Sequence, residues 1–392
     1  MRKVAIGQAG GPTAVLNASL VGLVEGLRGK AEVYPVFNGY QGLARDRPRP
    51  MDDELYEWIR SHLRVPGACL GSGRYDFTPE RMEQAVMNLK REDIHTLAFI
   101  GGNGTMSALK RLGEIADDIG YELQIVGIPK TVDNDLGETD HAPGFASAAR
   151  FVALSVRNIV KDLEAMRNFE QVRIIETMGR NAGWLALSGG FLARGRESGP
   201  HLIYLPEVPV TREQILSEVS RAVKEWGIAA VVVSEGFTFA GSAKIKRQSV
   251  NGRMVLGGIS RLMEQLIHEQ LGYHVRSENL GMNQRSASFA VSLQDRREAY
   301  EAGGQAASFI AAGLSGIMVN IQRQPDECYN YVIGQVSLDR VVHSGERLLP
   351  PKFIADTSEY YAWLEPILGE PIPSYPANWK RGIRDEPERI YP

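Results

Sequence analysis

The 392-residue chain is 43% hydrophobic and 23% charged, so it can bury a large core, and we expect two lobes. Its formal net charge of -3 argues against a nucleic-acid-binding surface, and no apolar run approaches the roughly 20 residues that span a bilayer. Cys69 and Cys328 have neither metal-ligand spacing nor a disulfide pattern. We therefore predict a cytoplasmic enzyme or binding protein for small molecules, without nucleic-acid or membrane partners.

The amino-terminal segment has the pattern of a strand, a glycine turn and a helix. Residues 4–6 are apolar, residues 7–13 contain three glycines, and a helical pattern covers residues 14–28. A glycine lacks the Cβ that would keep an anion away from the amides of a helix start, so Gly11 is a candidate phosphate-binding residue. The alternative is an ordinary turn between a strand and a helix.

A second strand, residues 33–37, is followed by another glycine loop at residues 70–75. This loop carries Arg74, whose guanidinium could bind a phosphate, although most single arginines are simply solvated. Thr78 and Pro79 are typical of a helix start, and we predict a helix over residues 80–90.

The third strand, residues 96–100, ends in a glycine loop at residues 101–105. An amphipathic helix follows it. Strand, glycine loop and helix form the layout of an anion site, because free amides and the positive end of the helix bind phosphate oxygens. The glycine spacing matches neither a P-loop nor a dinucleotide fingerprint, which predicts a nucleotide fold of another kind.

The most informative loop has the sequence Pro-Lys-Thr-Val-Asp-Asn-Asp, at residues 129–135. It follows the apolar strand pattern of residues 123–128 and precedes a helical pattern over residues 143–166. Alone, it would be interpreted as a solvated turn. Because ligands of open α/β sheets bind at the carboxyl ends of strands, two such loops about thirty residues apart predict a binding site.

Together these motifs resemble those of the phosphofructokinase family. The loops at 101–105 and 129–135 resemble its signature pair, and its later motifs follow in order at residues 176–180, 234–236, 273–276 and 280–285. The resemblance covers residues 3 to 335. It implies an α/β fold of two Rossmann-like three-layer lobes with mainly parallel sheets, and an active site in the cleft between them.

The resemblance also implies how the chain is divided. Residues 1–142 with about 284–334 would form the donor lobe, and about 143–283 with 335–363 the sugar-phosphate lobe. We predict strands at residues 171–176 and 228–234 and a closely packed helix of small residues that begins at Gly303. From residue 364 to 392 the chain is proline-rich, and we predict an irregular tail.

The implied activity is transfer of a phosphoryl group to the 1-hydroxyl of fructose 6-phosphate. Such a reaction needs aligned reactants, stabilised negative charge and a base near the attacking hydroxyl. The resemblance implies Asp133 as the base, within a catalytic set of Asp133, Lys130, Arg180 and Gly104. It implies Mg²⁺ as cofactor with Asn103 and Asp135 as ligands, although ATP-dependent relatives have the stronger ligand aspartate at position 103.

The remaining contacts are also implied by the resemblance. Donor-phosphate contacts would come from Gly11, Arg74, Gly102, Asn103, Gly104, Thr105 and Lys130. Sugar-phosphate contacts would come from Thr131, Val132, Asp133, Met178, Gly179, Arg180, Glu235, Tyr273, Arg276 and Arg285. Because the Arg276 contact crosses a subunit interface in this family, we expect a homodimer or homotetramer.

The sequence departs from the family at one phosphate contact. Bacterial ATP-dependent members carry an arginine that reaches a neighbouring subunit's site, and this chain has Gln171 at that position. Arg173 lies two residues further on and, in a regular strand, would point to the same side. The sequence leaves open whether Arg173 takes over or the contact is weaker.

Two positions bear on the identity of the phosphoryl donor, and each of them favours a different donor. Lys130 is typical of the pyrophosphate-dependent branch, in which its charge offsets that of pyrophosphate. Gly104 is typical of ATP users, because the pyrophosphate branch has an aspartate there that blocks the nucleotide. We give Lys130 more weight, since it acts on the reacting phosphates and Gly104 only fails to exclude ATP. The sequence thus predicts pyrophosphate, with ATP as the alternative.

Three other hypotheses remain. Sedoheptulose 7-phosphate shares its first carbons with fructose 6-phosphate and could be the acceptor. NAD kinases and diacylglycerol kinases have a loop like residues 101–105, but they lack the loop at 129–135. A sugar-phosphate sensor without activity would not need Asp133 or Arg180.

Overall fold

The computed structural model describes residues 1–376 apart from 74, 194–197, 243–245, 251–252 and 327. Within it, the side chains of residues 246–250 and 253–256 are not described. The predicted phosphate contact Arg74 and the last part of the predicted tail, residues 377–392, therefore lie outside the described residues. Among the described helices, none is both long and apolar enough to cross a membrane.

Strands and helices alternate along most of the chain. In chain order, the described elements are β1 (Arg2–Gln8), α1 (Leu16–Leu27), β2 (Ala31–Val36), α2 (Tyr40–Arg45), α3 (Asp53–Ser61), α4 (Pro79–Arg91), β3 (Thr96–Gly101), α5 (Asn103–Asp118), β4 (Gln124–Pro129), α6 (Phe145–Ala165), β5 (Val172–Thr177), α7 (Trp184–Ser188), β6 (Leu202–Tyr204), α8 (Arg212–Trp226), β7 (Ala229–Ser234), β8 (Lys246–Val250), β9 (Arg253–Leu256), α9 (Ile259–Leu271), β10 (Val275–Asn279), α10 (Leu293–Ala311), β11 (Ile317–Arg323), β12 (Tyr331–Ser337), α11 (Leu338–Ser344), α12 (Pro351–Ala355) and α13 (Thr357–Leu364).

Two mainly parallel sheets organise the molecule. The larger sheet has the strand order β12-β11-β4-β3-β1-β2, and only β12 runs antiparallel to its neighbour. The smaller sheet has the order β10-β5-β7-β6 and is parallel throughout. Strands β8 and β9 form a separate hairpin. The α/β class with mainly parallel sheets, predicted from the sequence, is confirmed.

Apolar cores on both faces of each sheet explain why the strands are apolar along their whole length. In β1, Val4 and Ile6 belong to the core beneath α1 and α10, whereas Ala5 belongs to the core beneath α4 and α5. The smaller sheet is likewise enclosed, by α6 and α7 on one face and by α8 and α9 on the other. Each sheet is thus the middle layer of a three-layer unit.

Glycines bring α1 and α10 into close contact. A Cβ on Gly303 would lie 2.0 Å from the carbonyl oxygen of Ser19, and a Cβ on Gly22 would lie 2.0 Å from that of Tyr300. Close packing of these small residues is therefore confirmed. The predicted helix start at Gly303 is wrong, because α10 begins ten residues earlier, where the Ser292 hydroxyl caps it by accepting a hydrogen bond from the Asp295 N–H.

The carboxyl-terminal region contacts both sheets in turn. Strand β12 pairs with β11, and α11 packs against α5 on the larger sheet. Phe353 of α12 and Tyr360 of α13 then enter the core of the smaller sheet. The predicted irregular tail is wrong at its start, because Leu364 ends α13 and Glu365–Leu368 form a 3-10 helix whose Ile367 and Leu368 are buried in the same core. Residues 369–376 have neither helix nor strand. The residue limits of the two lobes stay a prediction.

Candidate active site

The loop between β4 and α6 has a conformation fixed by its own side chains. The Thr131 hydroxyl donates to Asp135 Oδ1 at 2.8 Å and accepts from the Asp133 N–H at 3.1 Å. Asn134 has a positive φ of 53°, and its Oδ1 accepts from the Ala142 N–H at 3.2 Å. These short-range bonds hold Asp133 and Asp135 at the carboxyl end of β4, where the sequence predicted a site.

Asp133 is surrounded by the charged residues that the sequence predicted for the site. Its Oδ1 is enclosed and has no hydrogen-bond partner among the described residues. Burial, and then the nearby carboxylates of Asp135 and Glu235, raise its pKa to about 7, whereas the positive charges of Arg180 and Lys130 act in the opposite direction. A carboxylate with a pKa near neutrality is suited to accept a proton from a hydroxyl group.

Lys130 connects the loops predicted to bind the donor. Its side chain is buried, and Nζ donates to the carbonyl oxygen of Gly11 at 2.7 Å. A Cβ on Gly10 would lie 3.1 Å from the same nitrogen, so the β1–α1 turn passes close to the ammonium group. The Lys130 N–H also donates to the Gly101 carbonyl oxygen at 2.9 Å. The structure thus places one buried cation where three loops meet.

The first turn of α5 forms one wall of the site. Helix α5 begins at Asn103, directly after Gly102, so the loop at residues 101–105 is shorter than the sequence suggested. Gly104 is exposed, and Thr105 is buried with its side chain against Gly101. The exposed Gly104 leaves open space next to the helix start.

The two predicted metal ligands are neighbours. Asn103 Nδ2 donates to the backbone carbonyl oxygen of Asp135 at 2.9 Å, which brings the Asn103 side chain against the loop that carries Asp135. Among the described residues, no three acidic, histidine or cysteine side chains cluster as a metal site. One carboxylate and one amide fit Mg²⁺ that is bound chiefly by phosphate oxygens and water.

The sugar side of the site is built from two turns that touch each other. Gly179 has a φ of +126°, and a Cβ on it would lie 2.6 Å from the Ala182 carbonyl oxygen. A Cβ on Gly236 would lie only 1.9 Å from the carbonyl oxygen of Arg180. Both positions therefore require glycine. This contact brings Arg180, after β5, next to Glu235, after β7.

Glu235 has electrostatic surroundings similar to those of Asp133. Its N–H donates to the Thr177 carbonyl oxygen at 2.8 Å, which fixes the turn. Burial raises the pKa of its carboxyl group to about 7, and the positive charges of Arg180 and Arg285 oppose the increase. Val132 and Met178 are half-buried against the core of the smaller sheet.

Arg285 lies between the donor and sugar sides. A Cβ on Gly11 would be 2.7 Å from Arg285 Nη1, and Arg285 also acts electrostatically on Glu235. The neighbouring Gln284 is buried, and its Oε1 accepts from the Met178 N–H at 2.9 Å. This role of Gln284 was not predicted from the sequence, although its place in the motif at residues 280–285 was an available signal.

Tyr273 and Arg276 are not brought to this cluster within the chain. Arg276 pairs in register with Arg173 near the amino ends of β10 and β5, whereas the site lies beyond the carboxyl ends of the strands. Its side chain is 61% exposed, and Nε lies 3.4 Å from Glu170 Oε2. Tyr273 packs against the core formed with α8 and α9.

The suggestion that Arg173 replaces an arginine at position 171 is wrong. The Arg173 side chain is only 5% exposed, and its guanidinium is bound by the carboxylates of Glu170, Glu278 and Asp162. The Gln171 side chain, in turn, accepts a hydrogen bond from the His274 N–H at 3.0 Å. Arg173 is thus used inside the protein and is not available to a ligand.

Comparison with known proteins decides the family. Residues 3–310 match the model of the family described as Phosphofructokinase. The chain belongs to the phosphofructokinase family. It is therefore an enzyme of the phosphotransferase class, and the hypotheses of an NAD or diacylglycerol kinase and of an inactive sensor are set aside.

Relatives within the phosphofructokinase family carry names that differ in substrate and in phosphoryl donor, and they include an ATP-dependent 6-phosphofructokinase of Corynebacterium efficiens that is 30% identical over 296 residues, covering 73% of this chain and 80% of that protein. The chain is 47% identical over 369 residues to the sulfofructose kinase of Alkalicoccus urumqiensis, covering 94% of this chain and 96% of that protein. It is 32% identical over 359 residues to the pyrophosphate–fructose 6-phosphate 1-phosphotransferase of Xanthomonas campestris pv. campestris, covering 88% and 85%. The crystal structure of a pyrophosphate-dependent phosphofructokinase from Marinobacter aquaeolei matches with a TM-score of 0.84 at 29% identity, over 96% and 94% of the two chains.

Proposed function

We propose that this enzyme transfers a phosphoryl group to the 1-hydroxyl of a fructose that carries an anionic group on carbon 6, and that this acceptor is sulfofructose. The observation that carries the proposal is Asp133, a carboxyl group with a pKa of about 7 between Lys130 and Arg180. Such a group can act as a base at neutral pH while the cations stabilise the transferring phosphate. Fructose 6-phosphate, the acceptor predicted from the sequence, is the second candidate.

The site residues support a direct transfer. The sugar oxygen forms a bond to phosphorus as the bond between phosphorus and the leaving phosphate oxygen breaks, and the hydroxyl proton passes to the Asp133 carboxylate. Arg180 and Lys130 would stabilise the charge on the transferring and leaving groups. Bound Mg²⁺, held by Asp135, Asn103 and the donor's phosphates, would neutralise phosphate charge.

The surroundings of Arg276 favour a singly charged group on carbon 6. Arg276 and Arg173 are the two cations of a cluster whose carboxylates belong to Glu170, Glu278 and Asp162, so negative charges outnumber positive ones. A phosphate monoester carries about 1.5 to 2 negative charges at pH 7, whereas a sulfonate carries one. Repulsion from the cluster therefore weakens phosphate binding more than sulfonate binding. This supports sulfofructose, as does the 47% identical relative.

The acceptor is tested by steady-state assays of the purified protein with Mg²⁺ and sulfofructose, fructose 6-phosphate or sedoheptulose 7-phosphate. We expect the highest kcat/KM with sulfofructose. Gln171→Arg, which adds a cation beside the cluster, should shift the preference towards fructose 6-phosphate, and Gln265→Arg on the exposed face of α9 is the matched control. A higher kcat/KM with fructose 6-phosphate in the wild type would overturn the choice of acceptor.

Pyrophosphate remains our proposed donor. Lys130 is buried at the junction of the donor loops, and a fixed cation there can replace part of the binding energy that a nucleoside would supply. The exposed Gly104 leaves room for ATP, which is the alternative. Parallel assays with each donor decide between them, and turnover with ATP alone would show that the open space at Gly104 matters more than Lys130.

We also propose that the site is completed by a second copy of the chain, in a homodimer or homotetramer. Arg276 is predicted to bind the acceptor, yet it lies on the exposed edge strand β10, away from Asp133 of its own chain. A symmetric assembly would bring Arg276 of one protomer to Asp133 of the other.

A further inference from the structure

Residues 345–350 cross from the larger sheet to the smaller sheet. They follow α11, which packs on α5, and they precede α12, whose Phe353 enters the core of the smaller sheet. No motif marks this part of the sequence. Its contacts lie at the cleft, on both sides of the candidate site.

On the larger side, this segment is bound to the catalytic loop. The Arg347 N–H donates to the carbonyl oxygen of Asp135 at 2.7 Å, and Glu346 forms an antiparallel bridge with Leu136. The same Asp135 carbonyl oxygen accepts from Asn103 Nδ2. The segment is therefore attached to the loop that carries Asp133 and Asp135.

On the smaller side, the segment is bound to the turn that carries Arg180. The Glu346 carboxylate accepts a hydrogen bond from Nδ2 of Asn181, the residue that follows Arg180. Trp184 Nε1 donates to the Arg347 carbonyl oxygen at 3.3 Å, and the Arg347 guanidinium lies 4.4 Å from the centre of the Trp184 ring. These contacts tie the two lobes together beside the reacting groups.

We propose that Glu346 is a positioning residue, whose hydrogen bond to Asn181 holds Arg180 at its working distance from Asp133 across the cleft. Asp133 and Arg180 belong to different lobes, so the separation of the two side chains depends on contacts between the lobes. Placement errors of about 1 Å can reduce turnover by about a hundredfold, so a bond of this kind has a direct effect on catalysis.

The split between kcat and KM supplies a readout that a merely structural role would not produce. Arg180 is proposed to stabilise the transferring phosphoryl group, so its displacement should lower kcat and leave the acceptor KM nearly unchanged. General loosening of the fold would instead lower the unfolding temperature.

The test compares Glu346→Ala, Asn181→Ala and Glu346→Gln, the last of which keeps a carbonyl acceptor for Asn181. We expect both alanine variants to lose about tenfold or more in kcat with little change in the acceptor KM. Glu346→Gln should keep kcat close to that of the wild type, because its carbonyl oxygen can still accept the hydrogen bond from Asn181. Thermal unfolding of each variant checks that the fold is kept.

The inference is overturned if the alanine variants keep the wild-type kcat, or if Glu346→Gln loses as much turnover as Glu346→Ala. Agreement between Asn181→Ala and Glu346→Ala is required, because each removes one side of the same bond. This inference rests on the proposed function, in which Asp133 and Arg180 act on the same reaction. The kcat of Asp133→Asn tests the base assignment without any change at Glu346, so the failure of that assignment and the failure of the role of Glu346 are distinguishable.

Discussion

Replacement of Asp133 by asparagine should lower the activity of the protein and raise its stability at pH 8. The pKa of Asp133 is raised from 3.8 to about 7, which is about three units, and each unit corresponds to about 1.36 kcal/mol. Ionised Asp133 would thus cost up to about 4 kcal/mol of folding free energy. Because the whole side chain is only half-buried, water screens part of this penalty, and we expect about 2 kcal/mol.

The direction in which the free energy of unfolding changes with pH follows from proton linkage. A native pKa above the unfolded value means that the native state binds more protons between about pH 4 and pH 7, so the free energy of unfolding falls as the pH rises through that range. Asp133→Asn cannot ionise and avoids this loss. At pH 8 it should therefore be more stable than the wild type, and at pH 4 the difference should disappear.

Activity should change in the opposite direction. The carboxamide of Asp133→Asn cannot accept the hydroxyl proton, so kcat should fall by about 10² to 10⁴. In the wild type, kcat/KM should decline below about pH 7 as Asp133 becomes protonated. Urea unfolding at several pH values and steady-state kinetics measure both effects, and Asp117→Asn on the exposed surface of α5 is the control. Turnover within tenfold of the wild type, or no gain in stability at pH 8, would refute the reasoning.

Three further predictions concern the donor, the assembly and the helix packing. Lys130→Gly should reduce turnover with pyrophosphate far more than any turnover with ATP, and equal losses would mean that Lys130 is structural. If one dimer site uses both protomers, an equal mixture of inactive Asp133→Ala and Arg276→Ala chains should regain about a quarter of the wild-type activity once the subunits have exchanged. No recovery despite exchange would contradict a shared site. Gly303→Ala should destabilise the protein by about 1–3 kcal/mol in thermal or urea unfolding, because its Cβ would meet Ser19 at 2.0 Å. Gly304→Ala is the matched control, because its Cβ would lie 3.9 Å from the nearest atom outside α10, the carbonyl oxygen of Gly22. Its free energy of unfolding should equal that of the wild type.

The sequence by itself determined the features that depend on neighbouring residues. Hydrophobic periodicity indicated β1 to β5 and β7, because a side chain's face follows from its position in a regular element. The strands β6, β10, β11 and β12 of the two sheets were not predicted. The Pro-Lys-Thr-Val-Asp-Asn-Asp loop was predictable as part of a site, since Thr131 and Asn134 bind atoms within a few residues of themselves. The start of α10 was missed because the sequence analysis used the small residues from Gly303 and did not consider Ser292 as a cap.

Only the tertiary structure decided what each charged side chain faces. Arg173 looked available as a phosphate contact, but packing of β5 against β10 surrounds it with carboxylates. The Arg347 N–H donates a hydrogen bond to Asp135, more than two hundred residues away in the sequence, and no local sequence pattern predicts that bond. A linear pattern specifies which face of an element is apolar, and the packing of distant elements then determines which polar atoms meet in the cleft.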